Sequence, residues 1–423
     1  MELTRRETAK LALAAGAATL FAPNVARAAT PKLVVVGGGT GGATVAKQVA
    51  MAAEGGVEVT LVERNPVYMT CYFSNLYLGD HWEFDRLAHN YEAMKAAHGV
   101  EVVHGHAQSV ADGTVTLSDG STLPYDRAVV APGIDFKYDM YEGFDEDIAE
   151  TLVPHAYKSG NQLLLLKQQI MAMEDGGTVV IAAPPNPYRC PPGPYERASM
   201  VAGWLSKHKP ASKVLILDPK TKHSKQGLFV EAWNRLYPGM VEWVGGEFTG
   251  GALPVVDAKA RTVTTADDET FEADVLNFIP AQKAGQLAID SGLTGDGDWA
   301  PVDPATLESA LVPGIHVLGD ACDNGDMPKS GFSANSQAKV CAQAVLAAMT
   351  GKKAFPPRFR NTCWSLVGDD YGIKVGANYK AGNGKIEKTD GFISEVGEDA
   401  ATRAATAAEG FGWYEAMTGE IFG

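Results

Sequence analysis

The run Lys32-Leu33-Val34-Val35-Val36, followed at once by Gly37-Gly38-Gly39-Thr40-Gly41-Gly42, narrows the possible folds more than any other feature. An apolar run ended by glycine reads as a strand buried on both faces. A helical stretch from Ala43 to Ala53 comes next, then a second strand from Val57 to Val62 that ends in Glu63. Strand, glycine loop, helix, strand and acid in this order make a dinucleotide-binding unit. Gly37 is expected to make the tight turn, and Gly39 to let the backbone approach a pyrophosphate. Gly42 should let helix and strand pack closely, and Glu63 is placed to accept ribose hydroxyls. The unpaired amides of the helix start would face the phosphates.

A second unit of the same rhythm begins with the strand Thr178 to Ala182, continues with a helix from Tyr195 to His208, and closes with the strand Lys213 to Leu217 and Asp218. Its loop is different. Ala183-Pro184-Pro185-Asn186-Pro187-Tyr188-Arg189-Cys190-Pro191-Pro192-Gly193-Pro194 offers prolines where amides are needed. Proline carries no amide hydrogen and fixes the backbone, so this loop cannot cradle a pyrophosphate in the usual way. No NAD(P) is therefore expected, and a cysteine stands in the place of the nicotinamide.

Phe278 to Gln282 and Gly314 to Ala321 read as strands returning to the first sheet. Gly319-Asp320 after a buried strand matches a second FAD fingerprint of such proteins, and Ala131-Pro132-Gly133 matches a third short signal. An Ala-rich helix is expected over residues 335–349, its N-terminus toward the flavin ring. The expected class is α/β, with two Rossmann-like dinucleotide-binding-type domains of glutathione-reductase-like arrangement and a smaller C-terminal domain. Residues 30–148 with 277–354 would form the FAD domain, and 149–276 the second unit. Residues 355–423, which follow the break near Pro356-Pro357, would form a C-terminal interface and active-site domain.

Residues 1–28 read as an export signal rather than as part of the fold. Arg5 and Arg6 open it, an uncharged run from Leu11 to Ala26 follows, and Ala26-Arg27-Ala28 resembles a cleavage site. Paired arginines fit a twin-arginine signal, although Thr8 stands where a bulkier apolar residue is commoner. A periplasmic location is expected. The formal charge is −15, and this segment carries four basic and two acidic groups, which leaves −17 on the remainder. Such a balance argues against nucleic acid, whose phosphates need clustered Lys and Arg. No later segment is apolar for long enough to span a bilayer.

The cysteines are Cys71, Cys190, Cys322, Cys341 and Cys363. None forms a C-x-x-C pair, so neither a zinc knuckle nor a c-type haem attachment is present, and no metal site is expected. The glycine loop, Thr70-Cys71-Tyr72, the run Arg189-Cys190-Pro191-Pro192-Gly193-Pro194-Tyr195-Glu196-Arg197-Ala198-Ser199, Met327-Pro328-Lys329-Ser330-Gly331 and Asn361-Thr362-Cys363 together resemble the flavoprotein subunit of flavocytochrome c sulfide dehydrogenase. The resemblance implies FAD bound covalently through Cys71, in place of a small buried hydrophobe. It implies a redox disulfide between Cys190 and Cys363, where a purely structural disulfide is the plainer reading. It further places FAD against Gly37, Gly39, Thr40, Gly42, Glu63, Arg64, Ala107, Ala131, Pro132, Gly133, Asp320, Met327, Lys329 and Ala334.

Glu196 could move protons for thiol chemistry or merely favour the helix dipole. Lys329 could lie near the flavin or be solvated, and Cys322 and Cys341 read as buried free thiols. The implied activity is oxidation of hydrogen sulfide, a sulfide–cytochrome c reductase with a c-type cytochrome subunit as partner. A sulfide:quinone oxidoreductase shares the fold and the cysteines but should show a basic interfacial helix. Phe411, Trp413, Tyr414, Ile421 and Phe422 instead read as a surface for a protein partner. An NAD(P)H-dependent disulfide or coenzyme A reductase is disfavoured by the proline loop, and a non-catalytic flavoprotein scaffold by the paired cysteines.

Overall fold

The computed structural model describes residues 29–158 and 160–423, and the compact unit runs over Pro31–Gly423. The paired arginines and the rest of the expected signal lie outside the described residues. Strand β1 (Lys32–Val36) leads through the glycines into helix α1 (Thr40–Ala53), then β2 (Glu58–Glu63), β3 (Glu101–His104) and β4 (Arg127–Val130). The helix starts at Thr40, earlier than the apolar pattern indicated, because the glycine loop itself supplies its first turn. A side chain at Gly42 would put its Cβ 1.9 Å from Gly37 O, so only glycine lets this helix start sit on the strand end. Gly37 itself has a φ of 100°, a region that side chains other than glycine rarely enter.

Two antiparallel segments, β5 (Ile134–Phe136) and β10 (Gln282–Ala284), pair with each other where the chain leaves and re-enters the first unit. Between them lie β6 (Thr178–Ala182), α2 (Gly193–His208), β7 (Lys213–Leu217), α3 (Gln226–Leu236), β8 (Val241–Val244) and β9 (Val275–Phe278). The second sheet is parallel with the order β8-β7-β6-β9. This corrects the expectation that Phe278 to Gln282 returns to the first sheet. Val275–Phe278 pairs with Val179–Ala182 and is fully buried there. Pro280 lacks the amide that would continue a ladder, so the chain breaks away before Gln282.

The first sheet closes with β11 (Ile315–Val317) in the order β11-β4-β1-β2-β3, and helix α4 (Gly331–Thr350) packs along α1. Ser330 caps α4 by accepting the Ser333 amide. The C-terminal part is an antiparallel sheet of β12 (Arg358–Gly368), β13 (Tyr371–Gly382) and β14 (Lys385–Ile393), with helix α5 (Ala400–Phe422) laid on it. Among the described residues no helix is long and apolar enough to cross a membrane.

Helix α5 revises the expected partner surface. Tyr414, Ile421 and Phe422 are buried, and Phe422 stacks on Tyr68 and His89 of the first unit. Only Phe411 and Trp413 stay half-buried. These aromatics are spent inward because a helix of Ala, Gly and Thr has few other large groups with which to anchor itself. A buried arginine adds to the anchor. Arg403 is 0% exposed, pairs with Glu398 at 2.8 Å and with Glu231 of α3 at 3.1 Å, and lies over the Tyr371 ring.

Candidate active site

Two chambers meet at Cys71, which lines both. The larger, about 680 Å³, is walled by Gly37, Gly39, Thr40, Glu63, Arg64, Ala107, Ala131, Pro132, Gly133, Asp320 and Ala334 among others. Glu63 is held at the end of β2 by the Gly38 amide at 2.7 Å and the Asn65 amide at 3.0 Å. Three residues expected in this wall are elsewhere. Gly42 is one residue inside α1 from the wall and serves helix–strand packing, as described above. Met327 is buried in the core, its sulfur accepting from Gln337 Nε2 at 3.7 Å. Lys329 is neither solvated nor in the wall: its ammonium donates to Asp320 O at 2.9 Å and Cys322 O at 2.7 Å, and sits over Trp299.

The polar atoms of this chamber fit a flavin dinucleotide. Arg189 Nη2 and Asp320 Oδ1 are buried without a hydrogen-bond partner, although the two side chains lie 3.9 Å apart. Burial raises the Asp320 carboxyl, opposed by Arg189 and then by Lys329. Unpaired buried groups are costly unless something bonds them, and a ribityl chain with its pyrophosphate carries the required hydroxyls and oxygens. The residues that would hold it are Glu63 at the ribose, the starts of α1 and α4, and the Arg189–Asp320 pair.

The smaller chamber, about 70 Å³, brings together Cys190, Cys363 and Glu196 from distant parts of the chain. Cys190 sits in the proline loop with a φ of 56°, a conformation uncommon outside glycine. Its amide donates to Lys329 O at 2.8 Å, and its carbonyl accepts from Gly193 N and Tyr157 Oη. Lys329 thus braces this loop from the first unit. Cys363 comes from β12, where Asn361 Nδ2 donates to its sulfur at 3.4 Å. Both cysteines are free thiols in this structure, and so are Cys71 and the fully buried Cys322 and Cys341. Burial pushes both the Cys190 and the Cys363 thiols up.

Glu196, in the first turn of α2, is buried and points into this chamber. Burial raises its carboxyl, opposed first by Lys225. Asn75 Nδ2 donates to it at 3.2 Å, and Asn75 is in turn held by Arg197 Nε at 3.1 Å. The Arg197 fork also binds the carbonyls of His155 and Ala156, and burial brings its guanidinium down to about 10. Phe332, Trp364 and Trp413 form the aromatic rim, a cluster in which Trp413 stacks on each of the other two. Asn75, Lys225, Ser365, Phe332 and Trp364 were not singled out from sequence, and Trp413 was read only as part of a partner surface. They lie on separate elements and form no motif, so no local pattern could have found them.

In the second unit the acid that follows strand β7 is already fully partnered. Asp218, at the end of β7, is fully buried and accepts from Tyr195 Oη at 2.6 Å, Trp243 Nε1 at 3.1 Å and the Lys220 amide at 2.9 Å. The Lys220 ammonium adds an ion pair at 2.7 Å. His223 stacks on Tyr195 above it.

A glycine-loop flavin chamber on one dinucleotide fold, joined to a second such fold whose loop carries a cysteine, defines a flavoprotein of the pyridine nucleotide–disulphide oxidoreductase class. The model of that class matches residues 31–170. Two narrower models, the central part of the sulfide dehydrogenase (flavocytochrome c) flavoprotein chain and the flavin-binding part of flavocytochrome c sulphide dehydrogenase, match residues 163–280 and 355–422. The chain belongs to the flavocytochrome c sulfide dehydrogenase flavoproteins, and is thereby an FAD-binding oxidoreductase of a sulfide-oxidising family.

A curated relative, the mitochondrial sulfide:quinone oxidoreductase of Dictyostelium discoideum, is 21% identical over 319 residues, which is 73% of this chain and 69% of the relative. Among solved structures, the sulfide:quinone oxidoreductase of Aquifex aeolicus superposes with a TM-score of 0.70 at 15% identity, covering 92% of each chain. An NAD-dependent persulfide reductase from A. fulgidus gives 0.61 at 16% identity, over 90% of this chain and 77% of that one. At these identities the likeness concerns the fold.

Proposed function

We propose that this protein oxidises hydrosulfide at the Cys190–Cys363 pair and passes the electrons through FAD, held covalently by Cys71, to a c-type cytochrome subunit in the periplasm. The observation that carries this reading is the meeting of the two cysteines in a small chamber that shares Cys71, Arg189 and Gly331 as a common wall with the flavin chamber. Its volume suits hydrosulfide or a short sulfur chain. In the proposed step, HS⁻ attacks one sulfur of the Cys190–Cys363 disulfide. A new S–S bond leaves a persulfide on that cysteine, and the old S–S bond releases the other as a thiolate. Rebonding of the pair around the added sulfur then loses one proton and two electrons. Bound FAD supplies an acceptor for that electron pair which can release it singly. Glu196, its carboxyl raised by burial, is placed to take the proton. The partner cytochrome follows from the family, and the periplasmic location from the paired arginines.

Two features support a reading without NAD(P): the proline loop offers few amides, and Asp218 is already saturated by Tyr195, Trp243 and Lys220. The quinone alternative lacks its expected surface, since the aromatics of α5 are mostly packed inward. The test is anaerobic mixing: hydrosulfide should bleach the flavin band within the mixing experiment, and added c-type cytochrome should restore it. NADH or NADPH should leave the band untouched, and rapid bleaching by either would return the reductase reading. For the attachment, acid precipitation should leave yellow colour in the pellet of the natural protein, while Cys71→Ser releases FAD to the supernatant. Free FAD from the unaltered protein would remove Cys71 from this role.

A further inference from the structure

Lys225 is a buried amine that none of the preceding chemistry uses. It stands just before α3 with a φ of 56°, and this turn directs its side chain into the protein. Only 6% of it is exposed. Its ammonium donates to Ser365 Oγ at 2.8 Å and to the Cys363 carbonyl at 3.3 Å. Ser365 also acts on Glu196, favouring its ionised form. Lys225 and Ser365 therefore stand together behind the cysteines, Lys225 bonded to the Cys363 backbone, while Glu196 lines the sulfur chamber.

Burying an ammonium costs several kcal/mol unless negative charge faces it. Two sources of such charge are near: the Glu196 carboxylate and a sulfur anion. The groups facing the pair from every side are Lys225, Glu196, Arg197, Tyr157, Tyr188, Cys71 and Tyr379. They do not act evenly. At Cys363 the strongest influence against burial is Lys225, with Asn361 and then Ser330 after it. At Cys190 the first influence after burial is Glu196, which opposes an anion, and Lys225 acts only weakly.

Resting on the proposed function, we infer that Lys225 is a positioning residue, acting through the Cys363 segment and Ser365 to make Cys363 the thiolate of the opened pair. The sign is set by charge: a cation favours the ionised thiol, so its removal raises the pH at which that thiol ionises.

The experiment uses the flavin-loaded protein, its pair opened with dithiothreitol and desalted without oxygen. Iodoacetamide labelling of the Cys363 peptide is followed by mass spectrometry against pH, because only the thiolate is alkylated. Lys225→Met should move the Cys363 midpoint up by about one unit or more, which means roughly tenfold slower labelling at a pH below both midpoints. Lys225→Arg should restore the midpoint, and the Cys190 midpoint should move less than that of Cys363. An unmoved midpoint in a folded Lys225→Met protein overturns the inference. Should that variant not fold, Glu196→Gln decides: loss of the opposing carboxylate should lower the Cys363 midpoint, and an unchanged value overturns the inference. The labelling needs no sulfide, so it fails or succeeds separately from the hydrosulfide bleaching test.

Discussion

Replacing either Cys190 or Cys363 with serine should lower hydrosulfide-driven bleaching of the flavin by on the order of 10³-fold or more, the scale on which loss of a covalent participant acts. Dithionite should still bleach the band, because it needs no disulfide. Anaerobic stopped-flow absorbance at the flavin band measures both. The expectation follows from placement: one sulfur rides the proline loop, the other β12, and both open on the same small chamber. A drop in stability alone would be uninformative, since a disulfide contributes about 2–4 kcal/mol in any role. Two folded single variants that keep bleaching with hydrosulfide would leave the pair as a mere staple.

Arg403→Met should cost about 3–5 kcal/mol of stability, the range for removing one partner of a buried charge group. Arg403 is 0% exposed and answers two carboxylates, Glu231 on α3 and Glu398 just before α5. Its loss leaves both facing each other in a partly buried site with no cation between them. Urea unfolding followed by intrinsic fluorescence would read this as a lower midpoint at similar slope. A change under about 1 kcal/mol would show that water takes over the arginine's role.

Much of the fold was readable because dinucleotide units advertise themselves through glycine spacing and buried strands. The strands Lys32–Val36, Thr178–Ala182 and Lys213–Leu217 match their expected spans. Val275–Phe278 was harder to place. A fully buried parallel strand looks the same in either sheet, and only its pairing with Val179–Ala182 decides. The aromatics of α5 misled for a related reason: composition reports that they must be covered, not by what. Cys190, Cys363 and Glu196 were nameable because each sits in a short distinctive run. Lys225 and Ser365 were not, because their meaning arises only where α3 and β12 approach α2. Met327 and Lys329 sat in such a run too, yet Met327 packs in the core and Lys329 braces the cysteine loop instead of lining the flavin chamber.

The two chambers differ in which stretch of chain completes them. All the residues that wall the flavin chamber lie at or before Ala334, whereas the sulfur chamber also needs Thr362, Cys363, Trp364 and Trp413. During biosynthesis the residues that wall the flavin chamber are thus made before Thr362, Cys363, Trp364 and Trp413. Phe422 of the last helix nonetheless stacks on Tyr68 of the flavin chamber, so that chamber too is backed by the end of the chain. The sulfur chamber is therefore complete only once the last sheet and helix have docked.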